Sequence, residues 1–297
     1  MSAPLADLPA ARAFDDRACD LGEGMFWHPL RAQPFWFDIT AGRLMSRDAT
    51  GPRIWAFDGP VSAAGWIDAD TLLVAASGAL LRFDIETGQA APLAALDCAG
   101  GRLRPNDGRA DPQGGFWIGT MGLAAEPQAG AIWRWYRGEL RRLHDRITIP
   151  NAICFAPDGS EVRFTDTPGR IVYRQRLDAD GWPQGAPEPW LDLRAAGRNP
   201  DGAVIDAAGR FWLAEWGAGR VAAYGPDGAF LGAVALAAPH ASCPGFGGPD
   251  LSVLHITTAR QGMDAPALEA APQAGMSFAV DLGAYGIRGQ AEHRVVL

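Results

Sequence analysis

A turn signal followed by a short aromatic or β-branched run recurs six times along the chain, and this repeat limits the fold more than any other feature. The turns stand at His28-Pro29, Asp68 to Asp70, Asp111 to Gly114, Pro157 to Gly159, Asp206 to Gly209 and Gly248 to Asp250. The runs behind them include Phe35-Trp36-Phe37, Leu72-Leu73-Val74, Phe116-Trp117-Ile118, Val162-Arg163-Phe164, Phe211-Trp212-Leu213 and Val253-Leu254-His255-Ile256. With 28, 68, 111, 158, 206 and 250 as markers, the steps are 40, 43, 47, 48 and 44 residues. Most units carry a second run after a glycine turn, such as Leu80 to Asp84 or Ile171 to Arg174, with the two-residue alternation of half-buried strands. Short strands repeating every 40 to 50 residues are the signature of β-propeller blades. Helical repeats of that period need long stretches free of breakers, yet 37 glycines and 23 prolines make up about a fifth of the 297 residues.

The reading is therefore all-β: a six-bladed β-propeller forming one domain over 1–297, with 1–13 as an extended N-terminal arm. The segments 12–19 and 293–297 both look strand-like and are expected to meet in one blade that closes the ring. The Ala- and Pro-rich stretch 264–275 is expected to hold a short helix on the surface.

Charge and residue usage then exclude several classes of function. A net charge of −8 does not suit nucleic-acid phosphates or anionic membrane surfaces. All 26 basic residues are arginine, which removes Schiff-base, Ser–Lys and P-loop lysine chemistry. Cys19, Cys98, Cys154 and Cys243 are scattered with no Cys-x-x-Cys, as expected of free thiols in a reducing compartment. Asp7, Arg12, Asp15 and Asp16 stand where a signal peptide would be apolar, and no run approaches the ~18 apolar residues of a membrane span. The expectation is a cytoplasmic, monomeric protein.

No Gly-x-Ser-x-Gly elbow, zinc helix, Walker loop or EF-hand loop occurs, and the five histidines never pair at ligand spacing. What remains is a set of polar residues ahead of the turn markers. Glu23 stands between two glycines, Asn151 stands inside an apolar run, and Asn106 and Asp201 each precede a marker aspartate by five residues. Equivalent positions in successive blades point at one axis, so Glu23, Asn106, Asn151 and Asp201 should converge as a ring of oxygens in the central channel. Confined carboxylates repel and lose hydration, and a hard divalent cation is the natural compensation. Ca²⁺, Mg²⁺ and Mn²⁺ suit oxygen ligands best, with Zn²⁺ and Fe²⁺ as alternatives. Taken singly, each segment also reads as an ordinary turn.

Leu-Gly-Glu-Gly at 21–24, Arg-Pro-Asn-Asp-Gly at 104–108, Gly-Thr-Met at 119–121 and Asn-Pro-Asp-Gly at 199–202 together resemble the senescence marker protein/gluconolactonase/luciferin-regenerating enzyme family. Phe-Gly-Gly-Pro-Asp-Leu at 246–251 and Thr-Thr-Ala-Arg at 257–260 extend the match. Among its members, bacterial sugar lactonases are the most similar. One departure is Met25, where many relatives have proline.

The resemblance implies a channel metal, calcium foremost, held by Glu23, Asn151 and Asp201. It places substrate hydroxyls against Arg104 and Asn106, with Glu126 as the acidic residue of a lid over 124–128. The implied reaction is hydrolysis of a sugar (aldono-)lactone to its aldonic acid, with Asp201 orienting or deprotonating the attacking water. Two alternatives use the same scaffold: another ester or phosphotriester hydrolase, or a non-enzymatic propeller whose ion only pins the channel.

Overall fold

Each turn marker closes the innermost strand of a blade, and the aromatic run after it becomes the second strand. The structure, a computed structural model, describes residues 4, 5 and 7–297. They form six four-stranded antiparallel sheets, spanning 22–56, 61–95, 103–147, 150–192, 199–235 and 241–281, numbered here as blades 1 to 6. The innermost strands are Gly22–His28, Val61–Trp66, Leu103–Ala110, Pro150–Phe155, Asn199–Ile205 and Ala241–Gly247. Second strands are packed on both faces by the adjoining blades, which is why they read as continuous apolar runs. Trp36, Trp117 and Trp212 fill the wedges between blades, whereas Trp216 reaches the channel mouth. Fourth strands such as Ala90–Ala95 lie at the rim and are mostly exposed.

Arg12–Asp15 pairs antiparallel with Ser277–Asp281 as the outermost strand of blade 6, so the N-terminal half of the expected closure is present. The expected arm over 1–13 falls partly outside the described residues. Within it, the Leu5 and Ala11 amides donate to the Leu231 and Ala235 carbonyls of blade 5.

The C-terminal half of the expected closure is not formed. Residues 293–297 join no sheet, because Arg12–Asp15 already occupies the edge of blade 6. Instead the tail crosses one end of the channel. The Gln290 amide donates to the Ile205 and Phe155 carbonyls, and Glu292 pairs with Arg109 at 2.7 Å. The Val295 and Val296 amides donate to the Trp66 and Gly114 carbonyls. Val295 is buried beside Gly65, where a Cβ would approach it to 2.6 Å. These partners lie at or beyond the C-terminal ends of innermost strands. The expected helix appears as Ala265–Ala270, capped by Asp264, whose carboxylate accepts the Ala267 amide.

Two turn markers have a further task. The carboxylate of Asp206 accepts the Ala208 and Arg210 amides, Arg210 Nε and the indole of Trp212 six residues on. Asp111 does the same for Gln113, Gly115, Arg134 Nε and Trp117. Both carboxylates are fully buried, so each fastens a turn and a core indole together. Asp158, at the same point of blade 4, is exposed and accepts only from Ser160. Asp206→Ala is therefore expected to cost about 3 kcal/mol in urea unfolding, and Asp158→Ala no more than about 1 kcal/mol. Equal losses would show that the buried carboxylate is not what matters.

Candidate metal centre and channel cavity

Every innermost strand loses register by one residue near its N-terminal end. The shifts fall between Glu23 and Phe26, Val61 and Ala63, Pro105 and Gly108, Asn151 and Cys154, Pro200 and Ala203, and Ala241 and Pro244. Each is a bulge of one extra residue, a feature that bends a strand and re-aims its side chain. Glu23, Asn106, Asn151 and Asp201 all sit at these bulges, and all four line one cavity of about 430 Å³.

Glycine or alanine follows Glu23, Asn151 and Asp201, and neighbouring inner strands nearly touch beside Gly24 and Gly202. A Cβ on Gly24 would lie 2.2 Å from the Ser62 carbonyl oxygen, and one on Gly202 would lie 2.7 Å from that of Ser242. Gly24 has φ of +60°, and Ala152, after Asn151, has φ of +59°.

The polar groups are oriented by a continuous chain of hydrogen bonds. Arg104 Nη1 donates to Asn106 Oδ1 at 2.6 Å and to the Pro105 carbonyl at 3.0 Å. Asn106 Nδ2 donates to Asn151 Oδ1 at 2.8 Å and to the Pro150 carbonyl at 2.9 Å. Asn151 Nδ2 donates to Thr167 Oγ1 at 2.9 Å, and that hydroxyl donates to the Pro200 carbonyl at 2.8 Å. An amide oxygen has two lone pairs, so Asn151 Oδ1 retains one after accepting from Asn106.

Glu23 and Asp201 are buried and hydrogen-bonded to each other. Burial pushes the Glu23 carboxyl up to about 8, and the charge of Asp107 adds to the rise. Asp201 is held well above the usual carboxylate range by burial, with Glu23 and Asp107 adding to it. Burial also draws Arg104 down to about 10, against the pull of Glu23 and Asp201. With no further positive charge, the two carboxyls keep a proton between them.

Two carboxylates that shed a proton when a cation arrives, together with an amide oxygen fixed in direction, are a donor set suited to a hard divalent ion. Among the described residues, no group of three or more His, Cys, Asp or Glu side chains is placed to hold a metal. The candidate set is two carboxylates and a carboxamide.

Arg104 lines the cavity as expected, but Glu126 does not. Its carboxylate turns back to accept the Ala124 amide at 3.1 Å, and the loop presents Leu123, Ala124 and Ala125 to the cavity instead. An acidic residue two positions beyond an amide at a turn satisfies its own loop, which sequence spacing alone did not reveal. Asp107 and Thr167 are among the polar residues at the site that were not singled out from sequence. Asp107 is buried behind the site, with its carboxylate accepting the Ile153 amide of the next blade, and burial raises it to about 6. Thr167 belongs to the Thr167–Gly169 turn, which carries no motif.

Known proteins resemble the chain along most of its length. The family model for the SMP-30/Gluconolactonase/LRE-like region matches residues 21–260. A protein of Rhizobium meliloti that carries the name sugar lactone lactonase is 39% identical over 284 residues, which cover 93% of this chain and 95% of that one. The pentonolactonase XacC of Haloferax volcanii is 32% identical over 282 residues, or 91% and 94% of the two chains. The crystal structure of regucalcin from Agrobacterium tumefaciens, described as a calcium-binding protein, superposes with a TM-score of 0.93 at 34% identity, covering 99% of this chain and all of that one. The chain belongs to the SMP-30/gluconolactonase/LRE-like family.

The buried pair has a consequence for stability. Between pH 4.5, the ordinary value for glutamate, and about 8, the unfolded chain releases a proton that folded Glu23 retains, so its contribution to stability falls as pH rises through that window. Without divalent cations, the urea midpoint is expected to decline across this range, and Glu23→Gln to flatten the decline. An identical slope in the variant would remove Glu23 as its source.

Proposed function

We propose that this family member hydrolyses a sugar lactone to the corresponding aldonic acid at the channel cavity, with one divalent cation held by Glu23, Asn151 and Asp201. Lactonases cleave carboxylic ester bonds, and the chain is a hydrolase of that class. The observation that carries the metal dependence is the pair of buried carboxyls, Glu23 and Asp201, beside the oriented amide oxygen of Asn151 in one cavity. A protonated Asp201 cannot accept a proton from water, so the site as a purely organic assembly lacks its base.

A cation held by these three residues would supply Lewis-acid polarisation of the lactone carbonyl and the positive charge that favours ionised carboxyls. Ionised Asp201 takes a proton from water as the water oxygen bonds to the carbonyl carbon. The ring ester C–O bond then breaks, and the proton passes to the departing ring oxygen, which leaves the carboxylic acid and a free hydroxyl. Glu23 and Asn151 hold position.

Arg104 directs Nη1 to Asn106 and Pro105, which leaves Nε and Nη2 for substrate hydroxyls. Asn106 is more restricted, because both hydrogens of Nδ2 are engaged by Pro150 and Asn151. It serves the substrate only as an acceptor, through the remaining lone pair of Oδ1. The apolar walls of Leu21, Met121, Ile149 and Trp216 suit the carbon faces of a sugar ring. Glu126 has no part in this scheme.

Acid release followed in a pH-stat, on metal-stripped protein with a panel of aldonolactones and divalent ions, tests the reading. Activity is expected only after metal is restored. Asp201→Asn is expected to keep the metal and to lose at least about a hundredfold in kcat. Undiminished kcat in that variant would remove Asp201 from the base role, and silence with every lactone and ion would overturn the function.

A further inference from the structure

We infer that Thr167 is a positioning residue of the cation site: together with Asn106 at the other end, its hydroxyl holds the Asn151 carboxamide in one orientation, and, among the described residues, it alone ties that carboxamide to the strand that carries Asp201. The inference rests on the reading that Asn151 and Asp201 are ligands, and adds a residue whose hydroxyl is taken up by Asn151 and the Pro200 carbonyl.

Each hydrogen bond in this chain can run in only one direction. The Pro200 carbonyl can only accept, so the one hydroxyl hydrogen of Thr167 goes to it, over 2.8 Å. The lone pairs of Oγ1 are then all that face Asn151, and they call for its Nδ2, which lies at 2.9 Å. The other end is forced as well. Arg104 has no acceptor, so the atom of Asn106 beside Nη1 is the oxygen, and Asn106 therefore presents its amide hydrogens to Asn151 Oδ1. A flipped Asn151 would oppose NH₂ to NH₂ on one side and oxygen to oxygen on the other. Both ends of the chain thus enforce a single orientation.

The hydroxyl itself is well anchored. The Thr167 amide donates to the Ile149 carbonyl, and the adjoining Asp166 carboxylate accepts the Thr148 and Ile149 amides. The turn is therefore fastened to the segment that leads into Asn151, in blade 4. Pro200 immediately precedes Asp201 in blade 5, so one hydroxyl spans the two blades that each provide a ligand. Partners of this kind orient ligands, and their loss costs metal affinity about tenfold to a hundredfold.

The test is calorimetric titration of the metal-stripped full chain with calcium or manganese alone, comparing wild type, Thr167→Val, Thr167→Ala and Thr167→Ser. Valine keeps the shape without the hydroxyl, and alanine serves if valine does not fold. Serine keeps the hydroxyl and is the rescue. Both hydroxyl-free variants are expected to bind about tenfold to a hundredfold more weakly, with serine close to wild type. Wild-type affinity in the valine or alanine variant would overturn the inference and leave the proposed function standing. A serine variant as weak as the hydroxyl-free ones would also overturn it, since packing would then be the cause. An unaltered protein that binds neither ion would overturn both.

Discussion

Two buried carboxyl groups, Glu23 and Asp201, are held beside each other in the wall of the channel cavity, and much of this molecule is arranged around that one unfavourable encounter. Isolated, such a pair gives up its charge and retains a proton. Beside a divalent cation it becomes a chelate with a base at hand. Under the proposed function, the same two residues would be either an inert, protonated pair or a hydrolytic centre, with positive charge on the axis separating the two states. Arg104 is the nearest cation to the pair, yet burial weakens its own hold on its proton, and its Nη1 is already engaged by Asn106 and Pro105.

The ring makes this encounter possible by repetition. Six innermost strands run the same way along the channel, and the bulge in each turns a residue towards the axis at one level. Four blades place a ligand-type oxygen in the cavity there, carboxylates in blades 1 and 5 and carboxamides in blades 3 and 4, whereas Ser62 and Ser242 at the bulges of blades 2 and 6 do not line it. The other end of the channel is crossed by the C-terminal tail, anchored by Glu292 on Arg109 and by Val295 among the side chains of blades 2 and 3. The cavity consequently has its chemistry at one end of the ring, and the segment that ties the ring together lies at the other.

The fold was legible because its signals are local. Turn residues before a doubly buried strand announce a blade wherever they occur, and six of them fix the count. The ring of oxygens was legible for the same reason: Glu23, Asn106, Asn151 and Asp201 recur at blade-equivalent places. What escaped was whatever depends on pairs remote in sequence. Thr167 matters because of Asn151 in its own blade and Pro200 in the next, neither of which marks it from the chain alone. The tail at 293–297 has the composition of a strand, and only the prior occupation of the edge of blade 6 by Arg12–Asp15 sends it elsewhere. Glu126 shows the opposite case, a contact too local for motif spacing to reveal. Its position after a Gly-Thr-Met segment suggested an outward role, while a bond to an amide two residues back keeps its carboxylate within its own loop.

The most direct examination of this account is a crystal of the metal-stripped protein soaked in manganese or calcium, with anomalous scattering used to locate the ion. The account predicts a single strong peak in the channel, in contact with the side-chain oxygens of Glu23, Asn151 and Asp201 together. A peak elsewhere, or none beside that trio at saturating metal, would contradict it.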